Sequence, residues 1–187
     1  MSDYPSNPNF QTEIPETISW EQIPTSVEDS PKYQQKLEEL LVDKGWDKLE
    51  AYRVSYAFHE ILNNAIVHGN LNLKKQPGER ETSWWPKIHA AESLPENANK
   101  FITVSISLTA NQVIISIQDQ GTNSPEFWKK ETVGMRTGTD TGWSSGRGIQ
   151  ISETFLSKIE YEKNNTGIKA ILTKIKETTI PKTSPIG

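Results

Sequence analysis

One stretch of the chain places four polar side chains on what otherwise reads as a buried helix: FHEILNNAIVHGN, residues 58–70. Positions four apart on an α-helix lie about 40° from each other, so Glu60, Asn64 and His68 form one stripe. Asn63 falls about 100° from Asn64, on another side of the helix. A carboxylate beside an amide oxygen suits Mg²⁺, which takes few protein oxygens and fills its remaining positions with phosphate and water. The carboxylate could also accept a proton from a hydroxyl or water that attacks a phosphate. The alternative is a solvated polar flank, because Glu-x-x-x-Asn spacing alone is common.

A second candidate group lies at the end of the strand predicted by VIISIQD, where Asp119 is followed closely by Gly121. An aspartate at a strand end can point into a pocket and accept a hydrogen bond from an exocyclic amine, such as N6 of adenine. Guanine presents an acceptor at that position and would repel the carboxylate. A nearby glycine lets the backbone approach a base closely. The alternative is an Asx turn that closes the strand.

A glycine-rich segment, TGTDTGWSSGRGIQISETF, leads into a further predicted helix. Backbone N–H groups at a helix start suit an anion, and a flexible glycine loop can fold over phosphates. The chain has no Walker A sequence, and no G-x-G-x-x-G follows a strand. The segment therefore predicts either a loop that covers phosphates or a plain linker.

Helices and strands must position these groups. Apolar spacing from Tyr33 to Leu41 predicts a first helix, and a second begins at Asp47 and runs to His68 or Gly69. FITVSISL and VIISIQD predict one hairpin, and a strand near Tyr161 followed by IKAILTKI predicts another.

Apolar residues near the N-terminus, such as Ile18 and Trp20, predict an edge strand. The order helix, helix, hairpin, loop, helix, hairpin indicates an α+β fold. We expect a two-layer sandwich in which a mostly antiparallel, mixed sheet carries helices on one face.

The chain of 187 residues is long enough for one domain with a sizeable core. We expect a loose N-terminal arm over residues 1–19, a single domain over 20–176 and a tail over 177–187. Within the domain, residues 71–100 form an insertion and residues 122–145 form the glycine-rich loop.

Composition limits the classes of function. The net charge is −4 without a long run of one sign, which predicts no direct contact with nucleic acid. Cysteine is absent, so disulfides and thiolate metal sites are excluded. No segment approaches the roughly 20 apolar residues that span a bilayer, and the N-terminus lacks a secretory pattern. These features predict a cytoplasmic protein without membrane contact.

Three segments that occur in a fixed order identify a protein family more specifically than any one of them does alone. HEILNNAIVHGN, IQDQG and SSGRGIQISETF resemble the N, G1 and G2 boxes of the Bergerat ATP-binding fold, which gyrase, heat-shock chaperone, histidine kinase and mismatch-repair ATPases share. Within that GHKL superfamily, HGN, GRG and the closing hairpin NNTGIKAILTKI are similar to the anti-sigma-factor serine kinases of bacterial partner-switching systems. The resemblance covers about residues 20–176.

The resemblance implies a role for each matching residue. Glu60 would be the general base, Asn64 the Mg²⁺ ligand, and Asp119 the acceptor for the adenine amine. The ATP-binding residues would be Asn64, His68, Asp119, Gly121, Gly146, Arg147 and Gly148.

The resemblance also implies an activity and partners. Relatives bind Mg²⁺ and ATP, phosphorylate a serine or threonine of a small anti-anti-sigma antagonist, and sequester a sigma factor or an equivalent regulator. They also dimerise, which implies a homodimer here. A nucleotide-dependent binding module without catalysis is the alternative, and ATP hydrolysis coupled to conformational change ranks below both.

Two positions depart from the pattern of the family and motivate the non-catalytic alternative. The second glycine of the G1 box is Asn123, which tolerates positive φ better than most residues and could preserve the turn. A threonine whose hydroxyl supports the aspartate often follows the glycine of the closing hairpin, and here Ile168 follows Gly167. The insertion carries Trp84 and Trp85, which would either form a protein-binding surface or pack against the domain.

Overall fold

The computed structural model of the chain describes residues 15–74, 79–123 and 147–176. These residues contain five strands: β1 Glu16–Pro24, β2 Phe101–Leu108, β3 Gln112–Gln118, β4 Lys158–Lys163 and β5 Ile168–Ile175. They form a single sheet with the spatial order β1-β2-β3-β5-β4. The expected N-terminal arm before residue 15, most of the expected loop over 122–145, and the tail from 177 lie outside the described residues.

The sheet confirms the predicted α+β class and both hairpins. β2 pairs with β3 and β4 pairs with β5, while β1 pairs with β2 and forms an edge, as the sequence predicts. β1 begins at Glu16, ahead of the boundary expected at residue 20. Every ladder within the described part of the chain is antiparallel, so the sheet there is not the mixed one that was expected.

Helices cover one face of the sheet. They are α1 Ser30–Asp43, α2 Lys48–Asn64, α3 Glu81–Glu92, α4 Pro95–Ala98 and α5 Arg147–Phe155. No helix in the described ranges is long and apolar enough to cross a membrane.

The core lies between α2 and the sheet. Alternate residues of β2, β3 and β5 are buried on the side that faces the helices, including Val104, Ile115 and Leu172. On α2, Phe58 and Leu62 are fully buried. The polar side chains of α2 lie on its opposite face, because the helical period of 3.6 residues separates the apolar positions from the polar ones.

The end of α2 differs from the prediction. Asp47 caps the helix as expected, because its side chain accepts hydrogen bonds from the N–H groups of Leu49 at 2.9 Å and Glu50 at 3.3 Å. The predicted α-helix to His68 or Gly69 is interrupted: α2 ends at Asn64, and Ala65–Asn70 form a π-helical turn. A π-turn is wider than an α-turn, so the 100° spacing that aligns residues with Glu60 does not extend beyond Asn64.

The insertion contains two helices, and its two neighbouring tryptophans have different environments. Trp84 on α3 is partly buried and packs against the core. Trp85 is 50% exposed and stacks on His89, with ring centroids 6.3 Å apart. Trp84 therefore packs against the domain, one of the two expectations for this pair, while a protein-binding role for the exposed Trp85 stays a prediction.

Candidate nucleotide site

Asp119 follows β3 directly and is almost completely buried, at 1% exposure. Its Oδ1 accepts a hydrogen bond from the backbone N–H of Gly121 at 2.9 Å and another from Ile168 at 2.9 Å. Its own N–H donates to the carbonyl of Ile168 at 3.0 Å. The backbone around Asp119 therefore fixes its carboxylate in one orientation.

Glycines from three parts of the chain surround this aspartate. A Cβ at Gly69 would lie 2.6 Å from Cγ of Asp119, and one at Gly167 would lie 2.7 Å from its carbonyl carbon. A Cβ at Gly121 would lie 2.7 Å from the carbonyl carbon of Gly69. These separations are too short for real contacts, so only glycine allows the three segments to approach so closely. We call Gly69, Gly121 and Gly167 the glycine cage.

The electrostatic environment of Asp119 has opposing contributions. Burial raises the pKa of Asp119 above its ordinary value, while hydrogen bonds from Ile168 and Gly121 and the charge of Lys163 act to lower it. The Lys163 ammonium donates to the carbonyl of Asn123 at 2.9 Å and to that of Gly121 at 3.4 Å. Lys163 therefore also holds the turn that follows Asp119.

A small, partly open pocket lies beside this carboxylate, between α2 and the sheet. Its walls are apolar apart from Asp119 and the hydroxyl of Tyr161, whose pKa burial raises well above its usual range. Tyr161 therefore stays protonated. An apolar slot with a carboxylate in its wall suits a flat heteroaromatic ring that carries an exocyclic amine. The remaining lining residues are Ile61, Ala65, Ile117, Ile168 and Ala170.

Glu60 and Asn64 lie one turn apart on the partly exposed face of α2, as the spacing predicts. The start of α5 contacts this face: a Cβ at Gly148 would lie 2.7 Å from Cδ of Glu60, so a larger residue there would displace the Glu60 carboxylate. Within the described ranges, the side chain of Asn64 makes no hydrogen bond. Gly146 lies outside those ranges, and for Arg147 only the backbone, at the start of α5, is described.

His68 has a different position from the other residues of the predicted stripe. Its Nδ1–H donates to the carbonyl of Leu73 at 2.7 Å, and its ring lies 6.5 Å from that of Trp84, measured between centroids. The π-helical turn accounts for this orientation, because it ends the α-helical spacing before His68. The imidazole thus contacts the insertion, while its backbone carbonyl accepts a hydrogen bond from the side chain of Asn123.

The two residues that depart from the family pattern, Asn123 and Ile168, both form hydrogen bonds at this site. Asn123 does not adopt the positive φ that its residue type allows. Among the described non-glycine residues, positive φ occurs at Gln22 and Asn72. Instead the side-chain amide of Asn123 bonds to the carbonyl of His68. At the other departure, the backbone N–H of Ile168 donates to Oδ1 of Asp119, while its side chain offers no hydroxyl.

Asn70 supports the site and has no role in the sequence-based prediction. It is fully buried, and its Nδ2 donates to Oγ1 of Thr25 at 2.8 Å and to the carbonyl of Phe101 at 3.1 Å. Its Oδ1 accepts from the backbone N–H of Gln120 at 2.7 Å. Asn70 therefore joins the ends of β1 and β2 to the turn that contains Gly121. The sequence signal for this role was a polar residue directly after His68 and Gly69. The hydrogen-bond partners of Asn70 are distant in sequence, so its role could not be inferred from that signal.

Asn63 lies on the other side of α2, as its spacing predicts. Its Nδ2 is 3.1 Å from Nε2 of His59, which is also 3.0 Å from Oγ of Ser30. Burial lowers the pKa of His59, which favours the neutral imidazole. These contacts join α1 to α2 and place Asn63 in a structural cluster away from Asn64.

The antiparallel sheet with its helical layer defines an α+β domain, and the buried carboxylate beside an apolar pocket is its candidate ligand site. The sequence matches the histidine kinase-like ATPase domain family over residues 23–174. The chain belongs to that family and is an ATP-binding domain.

A comparison with solved structures agrees on the fold. The crystal structure of the RsbU and RsbW domains of Rv1364c from Mycobacterium tuberculosis aligns with a TM-score of 0.51 at 15% sequence identity. The alignment covers 86% of this chain and 32% of that one, so the chain spans about a third of the length of the solved protein. No match was found among curated protein sequences.

Proposed function

We propose that the chain is a Mg²⁺- and ATP-dependent protein serine/threonine kinase of the anti-sigma-factor type, acting in the cytoplasm. It would phosphorylate a small antagonist protein and bind a sigma factor or an equivalent regulator, and phosphorylation would switch its partner. One observation carries the proposal: an apolar pocket with a fixed carboxylate lies beneath the helix that presents Glu60 and Asn64. Membership of the ATPase family supports the nucleotide. The likeness to a solved structure that contains an RsbW domain supports the regulatory class.

The hydrogen bonds of Asp119 support an adenine-binding role for this residue. Backbone N–H groups occupy Oδ1, whereas no donor among the described residues bonds to Oδ2. Oδ2 lies beside Gly69, where any side chain larger than hydrogen would overlap it. An adenine ring between Ile61 and Ala170 can donate its amine to this oxygen. Guanine would place a carbonyl oxygen there, so we expect a preference for ATP over GTP.

Asn64 is the residue that fits a magnesium ion. Its amide is not engaged by the described part of the protein and lies one helical turn from the carboxylate of Glu60. No cluster of three or more acidic, histidine or cysteine side chains occurs among the described residues. A site made of one amide oxygen, phosphate oxygens and water matches the preference of Mg²⁺. When bound, the ion would neutralise the charge of the triphosphate.

Glu60 would act as the general base. The hydroxyl oxygen of the acceptor serine or threonine forms a bond to the γ-phosphorus, and the bond between that phosphorus and the β–γ bridging oxygen breaks. ADP leaves with the electron pair, and Glu60 takes the hydroxyl proton. Gly148 packs against the Glu60 side chain and restricts its position, which favours this role.

The second candidate is a nucleotide-dependent binding module without catalysis. It is favoured by the contacts of Asn123, whose side chain bonds to His68 and whose carbonyl accepts from Lys163. These contacts tether the start of the glycine-rich segment, and a tethered loop suits a domain that holds its nucleotide without turnover.

Titration calorimetry with ATP and Mg²⁺, followed by phosphotransfer from γ-labelled ATP to a small antagonist protein, separates the two candidates. The kinase transfers label and loses transfer in Glu60→Ala while keeping ATP affinity. The binding module takes up ATP and transfers nothing. Absence of ATP binding would refute both candidates.

A further inference from the structure

The exposed face of α2 continues from the candidate base as an apolar surface. Leu49, Tyr52, Tyr56 and Glu60 follow one another at intervals of three or four residues, so their side chains share a face of the helix. Leu49 is 56% exposed and Tyr52 is 46% exposed. Large apolar side chains in a contiguous group on a surface mark an interaction site more often than single ones do.

Helix α5 supplies the other side of this surface. The ring of Phe155 meets that of Tyr56 edge-on, with centroids 6.1 Å apart, and the Tyr52 ring lies 6.2 Å from that of Tyr56. The guanidinium of Arg53 lies over the Phe155 ring at 5.8 Å. We call Leu49, Tyr52, Arg53, Tyr56 and Phe155 the aromatic patch. Tyrosine and arginine are among the residues enriched where proteins bind each other.

The patch and Glu60 lie along the line where α2 and α5 pack against each other. Gly148, near the start of α5, contacts Glu60, and Phe155, at its end, contacts Tyr56. Eight residues separate Tyr52 from Glu60 on α2, which corresponds to about 12 Å along the helix axis. A folded protein that binds stably covers about 800 Å² on each partner. A protein whose hydroxyl reaches Glu60 therefore also covers the aromatic patch.

The charge on the patch indicates what the partner presents. Arg53 is exposed and makes no ion pair within the described part of the chain. Its guanidinium, held over Phe155, is available to a carboxylate of a partner. Tyr52 and Leu49 offer an apolar surface beside it. The complementary surface combines an apolar side chain and an acidic residue near the acceptor hydroxyl.

We propose that the aromatic patch is the docking surface for the protein that carries the phosphoacceptor serine or threonine. This inference rests on the kinase activity proposed above. The aromatic patch lies beside Glu60, and it can dock a substrate only if Glu60 receives the proton of an acceptor hydroxyl.

The first experiment identifies what binds the patch. The full chain carrying Tyr52→p-benzoylphenylalanine is expressed in the organism that encodes it and irradiated, and the cross-linked proteins are identified by mass spectrometry. Trp85→p-benzoylphenylalanine is the matched control, because Trp85 is an equally exposed aromatic residue on α3. We expect a protein cross-linked through position 52 and not through position 85.

The second experiment tests whether that protein is the substrate. It is purified and incubated with the wild-type chain and γ-labelled ATP, and KM and kcat are measured for Tyr52→Ala, Arg53→Ala and Trp85→Ala. We expect KM for the protein to rise roughly tenfold or more in the first two variants, as for a contact at the centre of an interface. ATP affinity should stay unchanged in all three, because none of these residues lines the adenine pocket. Trp85→Ala should leave KM unchanged.

Other outcomes overturn the proposal in distinguishable ways. A second copy of this chain as the cross-linked species would make the patch a self-association surface. A cross-linked protein that accepts no phosphate, or a substrate whose KM ignores Tyr52 and Arg53, would refute the docking role while the kinase stands. If the wild type bound no ATP or labelled no protein, the kinase itself would fall, and the docking role with it.

Discussion

The backbone nitrogen of Ile168 lies 2.9 Å from Oδ1 of Asp119, and the Asp119 nitrogen lies 3.0 Å from the Ile168 carbonyl oxygen. This reciprocal pair joins the start of β5 to the end of β3 at the proposed adenine pocket. The Ile168 side chain remains free to line the apolar wall, while its backbone serves the carboxylate. Ile168 thus supports Asp119 through its backbone and lines the pocket through its side chain.

Asp119→Asn should weaken ATP binding roughly 10- to 100-fold, because it replaces a charge-assisted hydrogen bond with an amide that can present a donor to the adenine amine. Titration calorimetry measures the change. Asp43→Asn, at an exposed position on α1, is the matched control and should bind ATP like the wild type. Unchanged affinity in Asp119→Asn would remove Asp119 from the adenine site.

Asn64→Ala should abolish the increase in ATP affinity that Mg²⁺ produces, because the amide oxygen is the proposed protein ligand of the ion. Asn63→Ala should retain that increase, since its side chain contacts His59 on the other side of α2. ATP titrations of both variants with and without Mg²⁺ provide the comparison. Equal losses in the two variants would contradict the assignment of Asn64.

Gly69→Ala and Gly148→Ala should have separate effects. A methyl at Gly69 overlaps Asp119, so ATP affinity should fall and the domain should lose about 1–3 kcal/mol of stability from overpacking. A methyl at Gly148 displaces Glu60, so phosphotransfer should fall while adenine binding persists. Calorimetry and label transfer on both proteins test this pair. The prediction fails if Gly148→Ala transfers phosphate at the wild-type rate.

Asn70→Ala should lower the free energy of unfolding by about 2–4 kcal/mol, because it leaves buried donors and acceptors at Thr25, Phe101 and Gln120 unpaired. Urea unfolding monitored by tryptophan fluorescence measures the loss. Asn111→Ala, at an exposed position in the turn between β2 and β3, should stay within about 0.5 kcal/mol of the wild type. A similar loss in both variants would argue against the Asn70 network.

His59 should make the domain less stable in mild acid. Burial lowers the pKa of His59 in the folded protein, although the charge of Glu60 partly offsets this. The unfolded chain therefore binds a proton more readily, and stability should decline as pH falls below the ordinary pKa of 6.5. Burial raises the pKa of Asp119, so this carboxyl group adds stability as the pH falls, and it does so equally in the wild type and in His59→Gln. His59→Gln should flatten the decline in urea midpoints measured from pH 8 to pH 5; a slope equal to that of the wild type would exclude His59 as its source.

Helical and strand periods were enough to predict both hairpins, the start of α2, the shared face of Glu60 and Asn64, and the place of Asp119 at the end of β3. The π-helical turn was not predictable, because the wider hydrogen-bond pattern is set by packing around Gly69 and not by residue type. Its presence explains why the alignment of His68 with Glu60 fails.

The support of Asp119 was also hidden from the sequence. Every residue except proline carries a backbone N–H, so the contribution of Ile168 depends on where the chain passes and not on its side chain. The partners of Asn70 lie on distant segments, which a single sequence does not connect.

The glycine cage has a consequence for the energetics of the whole domain. Its members come from the π-helical turn, the turn after β3 and the start of β5, so the proposed adenine pocket requires all three segments to be in place. If ATP binds there, opening any one segment would release it, and by mass action ATP would oppose each opening. The apparent affinity for ATP should therefore fall with the fraction of molecules in which all three segments are folded.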